Sequence, residues 1–268
     1  MRKTAAVLLA AVLLLAPLLA LAGCGGGTDD ATVAMLMDSS RAMSEVSGYR
    51  LDGKIDMSAG ASETGGQDQT ISMEIKGEVQ NVAGETRQHM DMSMGGLAME
   101  AYIIGAVYYQ YVPEQGWMKM STGAYQAQNM NLSLLDPEQM ELIGEMAKTV
   151  QVIEEDEERI GLSFHLDKGF FQASLELSRK YLQEGEQADI DEYLRMMEEY
   201  VTGFDADIRI WLRKADDLVE RMEMDYTMVG LPQVGEVRNS MHMEFHDYGQ
   251  DIVVELPPEA EQATEIGI

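Results

Sequence analysis

The run His89-Met90-Asp91-Met92-Ser93-Met94 holds the residue types best suited to chemistry in this chain. Thioethers at alternate positions beside an imidazole are donors for a soft ion such as Cu(I). The other reading is a core strand that uses Met as its hydrophobe. Met also takes strand-like positions at Met73, Met222, Met224, Met228, Met241 and Met243, and that chain-wide habit favours the core strand. His242, Glu244 and His246 alternate in the same way. On a strand they would share one face, where two imidazoles and a carboxylate suit zinc. With Met241, Met243 and Phe245 opposite, an exposed polar face is the favoured reading. The acids from Glu154 to Glu158 lack the alternating ligands and central Gly of a calcium loop, and read as a solvated turn. The chain has no G-x-S-x-G elbow, phosphate-binding Gly-rich loop or helical H-E-x-x-H. Acid pairs abound, so they do not discriminate a general acid–base site. These residues point to a binding or structural module that needs no cofactor, and away from an enzyme.

Cys24 is the one cysteine. Before it come Arg2 and Lys3, then an Ala-, Leu- and Val-rich run from Ala5 to Leu21, then Leu21-Ala22-Gly23. That layout is a secretory leader, set aside from fold reasoning, and its last residues resemble the lipobox of bacterial lipoproteins. The resemblance implies cleavage before Cys24 and a diacylglyceryl thioether on its sulfur. One acyl chain holds a protein only marginally, at about 0.8 kcal/mol per buried CH₂, so two or three chains are needed. The expected location is the extracytoplasmic face of a membrane. With no second cysteine, the exported domain has no disulfide and must be stabilised by packing.

The leader carries two of the 19 basic residues and none of the 47 acids, so the net charge of −28 becomes −30 on cleavage. A chain this acidic is repelled by nucleic acid and by anionic headgroups. The charge is spread among apolar positions, which argues against disorder.

The segments are a leader over 1–23, a Gly-rich tether over 24–32 and one domain over 33–268. Thr32 to Val46 has the spacing of a helix, with Val33, Leu36, Met43 and Val46 on one face. From Tyr49 to Met120 the period becomes two, broken at Gly95-Gly96, Gly105-Ala106 and Pro113 to Gly116, which predicts an antiparallel meander. Asp136, Pro137 and Gln139 mark the start of a helix that should end near Thr149. Strands are expected over Val150–Ile153 and Ile160–Leu166, and helices over Phe170–Gln183 and Ile190–Val201. Four more strands are expected over Ile208–Arg213, Leu218–Met228, Val237–Tyr248 and Ile252–Leu256.

The order of these elements carries a further resemblance. A helix ends in Ser47-Gly48-Tyr49-Arg50, and Ala101-Tyr102-Ile103 and Tyr108 to Tyr111 lead to Trp117-Met118-Lys119. Tyr248-Gly249, Ile252-Val253-Val254 and Pro257-Pro258-Glu259-Ala260 close the chain. Over about residues 33 to 265 this resembles the LolA-like superfamily of extracytoplasmic lipoproteins, nearest to the LppX/LprG type and its uncharacterised Gram-positive relatives. The resemblance implies an α+β fold: a curved antiparallel sheet, an incomplete barrel, with helices packed in its concave face. Several members carry lipid in the cavity between sheet and helices. On that implication a lipid or acyl chain is the expected ligand. Ile103, Tyr109, Tyr111, Met222, Met224 and Met243, each on an alternating apolar run, are the expected cavity walls. Met is adaptable and suits a flexible acyl chain. The alternative is a structural or interaction lipoprotein with a filled core.

Overall fold

Segments whose apolar residues alternate form strands, and the strands join into one sheet. The computed structural model describes residues 30–60, 69–82, 84–122, 142, 146, 150–180, 187–231 and 235–265. The leader, Cys24 and the expected helix from Asp136 to Thr149, apart from Leu142 and Met146, lie outside the described residues.

Helix α1 (Asp30–Glu45) leads into six strands in succession: β1 (Gly48–Ala59), β2 (Gln69–Val82), β3 (Glu85–Met94), β4 (Leu97–Ile104), β5 (Val107–Val112) and β6 (Gly116–Ser121). A second group follows: β7 (Gln151–Glu155), β8 (Arg159–Asp167), helices α2 (Lys168–Lys180) and α3 (Gln187–Tyr200), then β9 (Gly203–Arg213), β10 (Val219–Leu231) and β11 (Gly235–His246). The 3₁₀ turn Pro258–Gln262 and β12 (Thr264–Glu265) end the chain. The sheet order is β12-β6-β5-β4-β3-β2-β1-β11-β10-β9-β8-β7. All pairs are antiparallel except β12 on β6. The expected α+β fold, an open curved sheet with helices on its inner face, is what the chain adopts.

Both groups of strands meet at one seam, β1 on β11, running from Arg50 opposite His246 to Ala59 opposite Val237. Gly53 faces Met243 across it. A Cβ at Gly53 would collide with the Met243 Sδ, so the glycine is the notch that this side chain fills. The far edge, β7, carries Glu154 and Glu155 and a register shift between Val152 and Glu154. Charge and irregularity of this kind protect an exposed edge from pairing with another chain.

The inner face is apolar. Ile55, Met73, Leu162, Phe164, Ile208, Ile210, Met222, Met224, Met228 and Met241 are all buried there in one cluster. Helix α1 adds Leu36 and Met43, α2 adds Phe170, Phe171 and Leu175, and α3 adds Leu194 and Met197. The Phe171, Phe204 and Tyr226 rings stack in sequence, at centroid spacings of 5.6 and 6.1 Å. Helix ends leave carbonyls and N–H groups without intrahelical partners, and side chains from the sheet supply them. Asn81 Nδ2 on β2 donates to the Val46 carbonyl at 2.8 Å, beyond the end of α1. Asp167 Oδ1 accepts from Gly169 N at 2.8 Å and starts α2 two residues before the expected Phe170.

Two expectations need correction. The tether was expected through residue 32, but α1 begins at Asp30 and Thr32 is already buried. The strand expected over Ile252–Leu256 is not one. Residues 251–257 carry no ladder and instead strap the outer face, burying Ile252 and Val254 against Tyr102, with Ile104, Tyr109, Trp117 and Leu256 around them. Val254 N donates to Gln80 Oε1 at 3.1 Å, while Val253 points away and is 65% exposed. Alternation there reports one buried side, which an unpaired extended segment lying on a sheet shows as well as a strand does.

The inner face of the sheet as a candidate ligand site

Strand register decides which side chains share a face. Met222 on β10 lies opposite Met243 on β11, and Met224 opposite Met241, all on the inner face. They are 1%, 5%, 1% and 3% exposed, packed among the neighbours of the main cluster. Beside them, between α1 and strands β9 and β10, a cavity of about 10 Å³ is lined by Leu36, Ser39, Ser40, Met43, Ile210, Leu212 and Val219. That is room for roughly one water molecule, which needs ≳10–15 Å³. The hydroxyl of Ser39 is buried there without a hydrogen-bond partner. At Met222, Met224 and Met243, then, the inner face is closed by protein.

The face differs at β3 to β6. By register, Met90, Ala101, Gln110 and Met118 form one row across these strands. Met92, Met99 and Val112 lie in the row to one side, and Ile103, Tyr108 and Met120 in the row to the other. Met99, Ala101, Tyr108 and Gln110 are buried, whereas Met90, Met92, Ile103, Val112, Met118 and Met120 are only half-buried. Among the described residues, the inner face of these four strands carries no charged side chain. It does carry one anomaly. Gln110 is 8% exposed, and its Nε2 has no hydrogen-bond partner. Leaving such a donor buried and unpaired costs about 1–3 kcal/mol.

Of the expected wall residues, Ile103, Met222, Met224 and Met243 share the inner face, but Tyr109 and Tyr111 do not. Tyr109 lies opposite Tyr102, and Tyr111 opposite Glu100 and Trp117, on the outer face. Tyr111 packs on Trp117 with centroids 5.5 Å apart and is partly exposed. The physical reason is Gln110. Strand β5 has aromatic residues on both faces, and its one uncharged polar side chain points inward, contrary to the usual alternation.

The expected metal ligands also separate. Met90, Met92 and Met94 face inward, so the thioether reading becomes core packing, with Met94 against Met73 across the strands. His89 faces outward. It stacks on Tyr102 at 4.4 Å and pairs with Glu100 at 3.1 Å, so imidazole and thioethers cannot hold one ion. Burial, then the bond donated to Glu100, raises the Tyr102 hydroxyl above its ordinary pKa. His242 and His246 sit on the outer face and take different carboxylates. His242 lies 3.6 Å from Glu223 and 3.3 Å from Glu244, while His246 lies 3.2 Å from both Asp52 and Asp247. Among the described residues, two groups bring ligand atoms within 4.8 Å of one another: His89 with Asp91 and Glu100, and His165 with Asp205 and Asp207. Sequence reasoning missed the second, because its members meet only through the β8–β9 register. It missed Gln110 too, for which the one available signal was a polar residue inside an aromatic strand.

Residues 32–265 match the family described as "Family of unknown function (DUF6612)". Among curated proteins, none matches the chain. Three crystal structures are similar over most of their length. LprF from Mycobacterium bovis shares 11% identity, with a TM-score of 0.47, over 87% of this chain and 99% of its own. The LolA superfamily protein NE2245 from Nitrosomonas europaea shares 8%, with a TM-score of 0.29, over 87% and 96%. A DUF1329 family protein from Desulfovibrio piger shares 7%, with a TM-score of 0.34, over 86% and 96%. One of the three belongs to the superfamily that the sequence resembles. At these identities and TM-scores, the reading of the site rests on its own geometry.

Proposed function

The chain belongs to the DUF6612 family of unknown function, and from that premise we propose that it is a lipid-anchored extracytoplasmic protein that binds an apolar ligand. The ligand is a lipid or acyl chain, and it lies on the inner face of β3 to β6. One observation carries this reading. The inner face is buried at β8 to β11 apart from half-buried Phe245, yet at β3 to β6, beside buried Met99, Ala101 and Tyr108, the apolar side chains of Met90, Met92, Ile103, Met118 and Met120 are only half-buried. Lipid sites are concave and mostly apolar, with few polar groups, and four of those five side chains are adaptable except Ile103. The leader and Cys24 support attachment by a thioether-linked diacylglyceryl group. The protein acts by binding and not by catalysis, so it takes no cofactor, and its acidic surface disfavours nucleic acid.

The alternative is a structural or interaction lipoprotein, and the closed packing around Met222, Met224 and Met243 favours it. Mass spectrometry of lipids extracted from the purified protein separates the two. A bound lipid in near-stoichiometric amount is expected. Its absence, with no uptake of a fluorescent fatty acyl probe, would leave the structural reading.

A further inference from the structure

Three polar side chains on the inner side of the fold keep a buried atom without a hydrogen-bond partner: Ser39 Oγ, Asn239 Oδ1 and Gln110 Nε2. Ser39 opens on the cavity that has room for one water. Asn239 already uses its amide on the Tyr226 hydroxyl at 3.3 Å and lies among closed packing. Gln110 differs from both. It stands in one row with half-buried Met90 and Met118 and buried Ala101, with Met99, Ile103 and Met120 on the diagonals and Tyr108 and Val112 two residues away on its own strand. Of these side chains only the thioethers, which are weak acceptors, and the Tyr108 hydroxyl could take a hydrogen bond, and Gln110 Nε2 makes none. A donor placed in such a patch discriminates strongly, since a ligand without an acceptor leaves it unpaired.

We propose that Gln110 is the specificity-determining anchor of this site, its side-chain amide donating to the carbonyl oxygen of an uncharged acyl ester whose chain lies on Met90, Met92, Met118 and Met120. The inference rests on the apolar-ligand reading and names its ligand class. The ester follows from the site's charge as well as from its donor. Among the described residues, no cation stands on the inner face of β3 to β6 to balance a carboxylate or a phosphate, and a buried unpaired charge is expensive. A plain hydrocarbon fits the patch but wastes the donor.

The test uses the full chain in membranes, labelled with a photoactivatable hydrocarbon, with labelled peptides mapped by mass spectrometry. Unlabelled hexadecane, a monoacylglycerol and a free fatty acid compete. In the parent, the monoacylglycerol should displace the probe from β3–β6 peptides better than the fatty acid does. In Gln110→Met, which keeps length and loses the donor, about tenfold more monoacylglycerol should be needed, with hexadecane unchanged. Removing an unpaired donor should leave the urea midpoint of this variant the same or higher. Equal monoacylglycerol competition in parent and variant would overturn the anchor and leave the apolar site standing. Equal competition by ester and fatty acid in the parent would overturn the selection for an uncharged ligand. No probe on β3–β6 peptides would overturn the site itself.

Discussion

Single side chains decide most of what can be tested first. Cys24 is the one residue able to take a thioether, so Cys24→Ser should leave the chain uncleaved or released. Detergent partitioning and lipid labelling check this, and unchanged labelling would refute the anchor. Gly53 is a notch for Met243. Gly53→Ala should therefore destabilise by overpacking, at the low end of about 1–3 kcal/mol because the flexible Met243 thioether can shift, read as a fall in urea midpoint. Met243→Ala should cost less in the Gly53→Ala chain than in the parent, because there it also removes the colliding Sδ. Asp247 pairs with Arg50 at 3.2 Å, and that bond first, then its bond with His246, holds its carboxyl below the usual range. The sign follows: a depressed carboxylate adds stability above the unfolded value of about 3.9 and loses it as pH falls through the lower native value. The midpoint gap between parent and Asp247→Asn should thus be widest at neutral pH and shrink below about pH 4. A gap that stays constant through that window would show that the pair contributes nothing. At this scale the sequence was legible where a pattern was unambiguous, as at Met222, Met224 and Met243. It misled where β5 placed aromatic residues on both faces, since only strand register tells that Gln110 points inward and Tyr109 outward.

Elements were legible by their apolar period, and their boundaries followed caps that lie sometimes beside the helix and sometimes far along the chain. The start of α2 is set by Asp167, adjacent in sequence. Asn81, which bonds the carbonyl beyond the end of α1, lies 35 residues from Val46 and was invisible in the local pattern. The strap over residues 251–257 is the clearest case of a pattern with two meanings. Its alternation is real, but the buried side rests on Tyr102 and lacks a neighbouring strand to pair with. If packing alone holds it, Val254→Ala and Ile252→Ala together should cost several kcal/mol, since Ile→Ala alone costs about 2–5 in a core. They should also raise proteolytic cutting at the chain's end before the sheet melts. Uniform loss of protection over the whole sheet at the same denaturant concentration would instead show that the strap belongs to the global unfolding unit.

The whole molecule depends on the seam between β1 and β11. The first six strands are neighbours in sequence, and so, with two helices inserted, are the five from β7 to β11. What makes them one sheet is a pairing that closes nearly two hundred residues of chain, from Arg50 to His246. Sequence alone does not announce such a pairing, because each strand of the seam is equally competent to pair with other partners. The main apolar cluster crosses the seam without a break, holding Ile55 and Met73 on one side with Met241, Met224 and Ile208 on the other. The domain should accordingly unfold in a single calorimetric transition, with no effect of reductant on a chain whose one cysteine precedes the fold. Ile55 faces Met241 across the seam and Met73 on the other side. Ile55→Pro removes a ladder donor in the middle of a central strand, a place that proline does not tolerate. Hydrogen exchange should then accelerate both in β3 to β6 and in β8 to β10, although neither group touches the substituted residue through the ladder. Exchange that accelerates in one group while the other keeps its parent protection would mean two folding units joined at an edge.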